Sequence, residues 1–181
     1  MRTRSTSAVS ESEFPVSVIM AREEVEVGMW STPRWTVVGV VAGLQTPGEE
    51  EANGRVIHSQ DGRVEYLWSG FVVRLFKDAT ESYWYNLVGK QPSLFVVCRE
   101  DVADGSLIPF VVSANYDEAG AYMETDGAVY STPMPAEVYR WLEEYVVANF
   151  RPVERKARKR ENWFAENEHD RTPHPPSDKL H

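Results

Sequence analysis

From Phe14 to Ala114 the chain passes between runs rich in β-branched and aromatic residues across very short connections, and this decides most of its architecture. RVIHS at 55–59 and RVEYLW at 63–68 flank Gln60-Asp61-Gly62. Asp-Gly between two such runs is a hairpin signal, because the favoured two-residue turn needs positive φ at both central positions. After Gly70 comes FVVRLFK at 71–77; DATES at 78–82 reads as a single turn. YWYNLV at 83–88 and SLFVVCR at 93–99 are joined by Gly89-Lys90-Gln91-Pro92, and SLIPFVVSA at 106–114 follows Asp104-Gly105. Upstream, FPVSVIMAR at 14–22 and RWTVVGVVA at 34–42 have the same β-rich character. A parallel crossover needs a dozen or more residues, so links this short force antiparallel pairing.

Two helices follow the strands. NYDEAGAYMET at 115–125 has Asn115 as its N-cap, with Asp117 and Glu118 suited to the dipole of its first turn. A longer helix spans 135–149, with Val138, Trp141, Leu142, Tyr145 and Val146 at helical spacing and Pro152 beyond its end. The strands carry apolar residues on both faces: Phe71, Val73 and Leu75 against Val72 and Phe76, and Tyr83, Tyr85 and Leu87 against Trp84 and Val88. Such strands need cover on both sides. The expected fold is α+β: a mainly antiparallel, curved sheet or barrel-like domain at 14–150, followed by two C-terminal helices covering one face or an open end.

The ends differ in composition from this body. Residues 1–13, rich in Ser, Thr, Arg and Glu, read as a disordered leader, and GLQTPGEEEANG at 43–54 as a mobile loop. Residues 151–181 read as a disordered tail, basic first and proline-rich afterwards. Residues 1–150 hold 11 lysines and arginines against 22 acids, a charge of −11; residues 151–181 hold 8 against 6, a charge of +2. So acidic a body argues against a nucleic-acid-binding domain, since phosphate contacts need a positive surface. No apolar run approaches the ~18 residues of a membrane span and the start lacks a secretory h-region, which fits a cytoplasmic protein.

Chemistry is sparse. Cys98 is the single cysteine and lies mid-strand, where packing is the expected role. Among the histidines, His169, His174 and His181 fall in the tail and His58 stands alone among strand residues. There is no glycine-rich phosphate loop. No catalytic, cofactor-binding or metal-binding residue can be named. The unusual feature is aromatic density: Tyr66, Trp68, Phe71, Phe76, Tyr83, Trp84 and Tyr85 fall within about twenty positions. Trp and Tyr at a rim make good binding anchors. The residues expected to meet a partner are Trp30 and Trp35, which flank Ser-Thr-Pro-Arg, together with Arg155, Lys156, Arg158, Lys159, Arg160, Trp163 and Phe164 of the tail.

FPVSVIMAR followed by Trp30 and RWTVVGVVAG, then GFVVRLFKDATESYWYNLVGKQPSLFVV, SANYDEAGAYMETD, STPMPAEVYRWLEEYVVANFRPV, and finally RKARKR with Trp163, form a set spanning about residues 14–164. As a set they resemble a family of small bacterial proteins encoded beside molybdenum-dependent formate dehydrogenases. Members are sometimes labelled molybdopterin-guanine dinucleotide biosynthesis proteins, but this chain has neither the nucleotide loop nor the alternating β-α units of the nucleotidyltransferases of that name. The resemblance implies a non-enzymatic accessory of a formate dehydrogenase, acting on assembly, cofactor insertion or regulation by binding a subunit or maturation factor. The alternative is a ligand-binding or catalytic β domain holding the molybdenum pterin in an aromatic mouth, with Arg34, Arg74, Lys77 and Arg99 as the cations at hand. A pocket of ~300 Å³ or more with converging polar groups would favour the alternative. A filled sheet interior with an exposed apolar patch would favour the first reading.

Overall fold

A computed structural model describes residues 9–43, 54–125 and 127–152. The chain divides into two units, Met1–Arg151 and Pro152–His181, and nearly all described residues belong to the first. The fold is α+β. Among the described residues seven strands, β1 (Glu13–Val27), β2 (Trp30–Ala42), β3 (Arg55–Gln60), β4 (Arg63–Arg74), β5 (Ser93–Glu100), β6 (Leu107–Ser113) and β7 (Ala128–Pro133), accompany three helices, α1 (Thr80–Val88), α2 (Tyr116–Met123) and α3 (Ala136–Asn149). One sheet has the order β2-β1-β4-β3 and the other β6-β5-β7, all antiparallel. Neither closes on itself, so the double-sided apolar strands are covered by a second sheet and helices rather than by barrel closure.

The Asp-Gly hairpin forms as its chemistry requires. Asp61 has φ 50° and Gly62 φ 80°, and Gln60 pairs directly with Arg63. The two runs at 63–68 and 71–77 merge into the single strand β4, which slips register against β1 next to Gly70. The main departure from the sequence reading is 83–88, expected as a strand and found in α1. Thr80, Tyr83 and Leu87 are its buried positions, spaced three and four apart, so one helical stripe faces the core. The strand-like Tyr-Trp-Tyr run is overridden by that packing. Among the described residues there are accordingly three helices, not two, and β7 is a strand with no sequence counterpart above. Structure also starts upstream of 14: the carbonyl of Ser10 accepts from Trp141 Nε1 at 2.8 Å, and that of Ser12 accepts from the Leu75 N–H at 2.9 Å.

One core joins all layers. Val16, Val18, Met20, Val40, Trp68 and Val73 come from the first sheet, and Leu94, Val96, Cys98 and Val112 from the second. Tyr83, Leu87, Val138, Trp141, Leu142, Tyr145 and Val146 come from the helices. Phe14 meets Trp141 with ring centroids 5.2 Å apart, and Tyr83 meets Tyr145 edge-on at 6.3 Å. The Asn86 side chain ties α1 to the second sheet: its Nδ2 donates to the carbonyls of Ser93 and Ala114, both at 2.8 Å, and its Oδ1 accepts from the Ser93 N–H at 3.0 Å.

Candidate functional site

Both sheets and the helices share one core of buried side chains, and the β1–β2 hairpin projects beyond it. β1 and β2 outrun their neighbour. β4 pairs with β1 only as far as Glu23, whereas β1 and β2 continue through Glu24–Pro33, Val25–Thr32, Glu26–Ser31 and Val27–Trp30. Those last pairs form a two-stranded ribbon closed at Gly28 (φ 65°) and Met29. Side chains alternate faces along a strand. Val25, Val27, Trp30 and Thr32 therefore share one face, and Glu24, Glu26, Ser31 and Pro33 the other. Met29 is 96% exposed, Trp30 78% and Val27 64%, so the apolar face ends in an uncovered tip.

A charge ladder marks the base of the ribbon. Arg34 Nη2 lies 3.2 Å from Glu23 Oε2, Glu23 also pairs with Arg63, and Arg63 Nη2 lies 3.0 Å from Glu65 Oε1. These three pairs join β2, β1 and β4. The hydrogen bond from Arg63, then that from Arg34, holds the Glu23 carboxyl below its ordinary value.

Trp35 lies five positions after Trp30, an odd offset, so alternation places them on opposite faces. Trp35 is partly buried on the core-side face, 5.4 Å from the ring of Tyr66. With Arg22, Pro33, Trp68 and Asp104 these rings line a depression of about 450 Å³. Its cation is already paired. Arg22 Nη2 is 2.6 Å from Glu24 Oε1. The Ser106 side chain and N–H hold the Asp104 carboxyl below its usual range, with Arg22 adding a smaller effect. Indole Nε1 of Trp68 is buried without a hydrogen-bond partner among the described residues. Its ring edge packs against Gly54, where an added Cβ would approach to 2.7 Å.

The cations proposed for a pterin mouth do not converge. Arg34 belongs to the ladder, and Arg74 Nε pairs with Glu13 at 3.1 Å. Lys77 lies in a 3₁₀ turn rather than a strand, and the Arg99 guanidinium stacks over Phe110 at 4.4 Å. Cys98 is fully buried, and burial pushes its thiol up to about 12, far from a reactive thiolate. His58 is exposed on β3 opposite Glu65. Among the described residues no three His, Cys, Asp or Glu side chains could hold a metal ion. Arg155, Lys156, Arg158, Lys159, Arg160, Trp163 and Phe164 lie outside the described residues.

The model of one protein family matches residues 15–160, most of the chain and every element just described. The chain belongs to this family, DUF3305, proteins of unknown function. Nothing matches among curated proteins or among solved structures. The match takes in both the ribbon and the aromatic depression, and it assigns neither a role.

A second concavity, which sequence reasoning missed, lies between the starts of α1 and α2, with a volume of about 630 Å³. Asp78, Glu81 and Tyr85 line it from one side, Tyr116 and Asp117 from the other, and Phe95 of β5 from below. Its pieces are distant in sequence and meet only because 80–88 is helical.

No helix is long and apolar enough to cross a membrane among the described residues.

Proposed function

We propose that this chain is a non-enzymatic docking protein that presents the β1–β2 ribbon to a partner protein. The observation that carries this is the ribbon's uncovered apolar end, Val27, Met29 and Trp30, standing beyond the last pair that β4 makes with β1. Covering such side chains contributes roughly 1.5–3 kcal/mol each. An isolated two-stranded ribbon is marginal in water, and a partner that covers it removes that weakness. The resemblance drawn from the sequence supplies the partner: a subunit or maturation factor of a molybdenum-dependent formate dehydrogenase, met in the cytoplasm during assembly, cofactor insertion or regulation.

The alternative, a domain that holds the molybdenum pterin, has the aromatic depression at Trp35 and Tyr66 as its best site. The residues there do not fit an anionic group, because Arg22 is already paired with Glu24 and Asp104 adds a second negative charge. Docking is the reading we retain.

Co-purification tests it. Tagged full-length chain, expressed in cells that make formate dehydrogenase, is expected to bring down a dehydrogenase subunit or maturation factor. Trp30→Asp is expected to cut recovery at least tenfold, as befits a central aromatic anchor worth about 2 kcal/mol or more. Recovery of no such protein by the wild-type chain, with unchanged formate oxidation in a deletion strain, would remove the proposal.

A further inference from the structure

The concavity between α1 and α2 differs in kind from the ribbon. Three of its side chains are carboxylates, Asp78, Glu81 and Asp117, and none has an ion-pair partner among the described residues. Its walls are aromatic: Tyr85 and Tyr116 are each more than half exposed, and Phe95 meets the Tyr116 ring edge-on at 5.5 Å. Its neutral polar groups are engaged elsewhere. Ser82 Oγ donates to Asn115 Oδ1 at 2.7 Å, that oxygen also accepts from the Asp117 N–H at 2.9 Å, and Asn86 is held by Ser93 and Ala114. These bonds fix the walls and leave rings and carboxylates as the groups free to meet a ligand.

The charge balance excludes an anion. Two helix N-termini open here, each equivalent to roughly half a positive charge. They offset about one of the three carboxylates, and no cationic side chain lines the space among the described residues. Asp78, Glu81 and Asp117 do not come together as a metal-holding group among the described residues. What the cleft matches is an organic cation that lays its planar or aliphatic part on Tyr85 or Tyr116 and turns its charge to Asp78, Glu81 or Asp117. Residues 1–150 carry −11, so approach of a basic segment is favoured at longer range as well.

We infer that this cleft docks a basic, arginine- or lysine-bearing segment of a partner protein. The inference goes beyond the ribbon reading and stands on different residues, so either can fail alone.

The probe is a fluorescein-labelled octapeptide of alternating arginine and glycine, with a glutamate–glycine peptide as its counterpart, titrated by anisotropy against the full-length chain at low salt. The arginine peptide is expected to bind and the glutamate peptide not. Glu81→Gln with Asp117→Asn keeps the shape and removes two charges; affinity should fall about tenfold. Tyr116→Ala should weaken binding several-fold with no change in charge. Glu143→Gln with Glu144→Gln, exposed positions on α3, removes the same charge elsewhere and should leave affinity within twofold. Thermal midpoints of all variants establish that they are folded. Equal losses in the cleft and α3 variants would reduce the binding to general attraction and overturn the assignment, as would no loss on Tyr116→Ala. Binding seen only after Arg155, Lys156, Arg158, Lys159 and Arg160 are replaced by glutamine would make the chain's own basic stretch the occupant and equally overturn it.

Discussion

The inner and outer halves of the β1–β2 hairpin belong to the same two strands yet carry their apolar side chains on opposite faces. In the inner half the even positions Val16, Val18 and Met20 are apolar and fully buried against the second sheet and helices. In the outer half the even positions are Arg22, Glu24 and Glu26, and the apolar residues have moved to the odd positions Val25 and Val27, across from Thr32 and Trp30. The register of β1 with β2 runs without a slip from Met20 to Val27, so no bulge rotates the strand to explain the exchange. The apolar stripe itself changes sides at Glu23, where β4 stops pairing. A strand that merely overhung its sheet would be polar on both faces. One that rebuilds an apolar face on the other side fits the docking role proposed above.

Two methionines break this comparison most sharply. Met20 is fully buried and Met29 is 96% exposed, on the same hairpin. Met20→Ala should destabilise the chain by about 3 kcal/mol, the range for a large core side chain cut to alanine. Met29→Ala should change stability by less than about 0.5 kcal/mol. Urea unfolding of both variants checks this. A Met29→Ala loss comparable to that of Met20→Ala would mean that the tip is packed in solution and that the two halves are alike.

A smaller effect comes from the ionisable groups that the inner region encloses. Burial pushes the Cys98 thiol up to about 12 and the Tyr83 phenol, whose oxygen accepts from the Phe76 N–H at 3.1 Å, also to about 12. Both pKa values are raised in the fold, so the stabilisation is complete below the unfolded values, near 9 for the thiol and 10 for the phenol, and is lost as pH rises toward 12. Between pH 9 and 10 the thiol contributes a slope of up to about 1.4 kcal/mol per pH unit. Cys98→Ala should flatten the fall in urea midpoint across that window, whereas a ribbon variant such as Trp30→Ala should leave it unchanged. An equally steep fall in Cys98→Ala would show that the thiol does not ionise on unfolding in that range.

Most of the framework was legible where local chemistry and burial agree. Asp61-Gly62 takes its two positive φ values because the two-residue turn requires them, and Asn115 caps α2 by accepting from the Asp117 N–H at 2.9 Å. The five periodic residues of α3 are the five that become buried. The 83–88 segment misleads because α1 is only nine residues long, too short for a helical stripe to outweigh three consecutive aromatics of high β-propensity. β7 offered only Val129 and Tyr130 as a signal. For the site, parity along one strand separates Trp30 from Trp35, a step available from the sequence once 30–42 is read as one strand. The acidic cleft was not available, because it joins residues near 80, 95 and 116 and exists only if α1 is a helix.

The smallest effect locates the border between the two halves. If the ladder Arg34–Glu23–Arg63–Glu65 anchors the ribbon's base, Glu23→Gln should loosen the ribbon without disturbing the inner hairpin. Exposed pairs of this kind contribute little to global stability, so the readout has to be local. Hydrogen exchange should show faster opening at amides between Glu24 and Pro33 in Glu23→Gln and unchanged protection at Val16, Val18 and Met20. The pH dependence follows from the sign of the shift. The Glu23 pKa is lowered from 4.5 in the fold, so its contribution is present above 4.5 and fades as pH falls through the depressed value. Protection factors of wild type and Glu23→Gln should therefore differ at neutral pH and converge in acid. Raised salt at neutral pH should narrow the same difference, because the ladder is open to solvent. A ribbon whose protection ignores Glu23 at every pH would place the border elsewhere and leave the cross-strand pairs of Val25 and Val27 as what holds it out from the sheet.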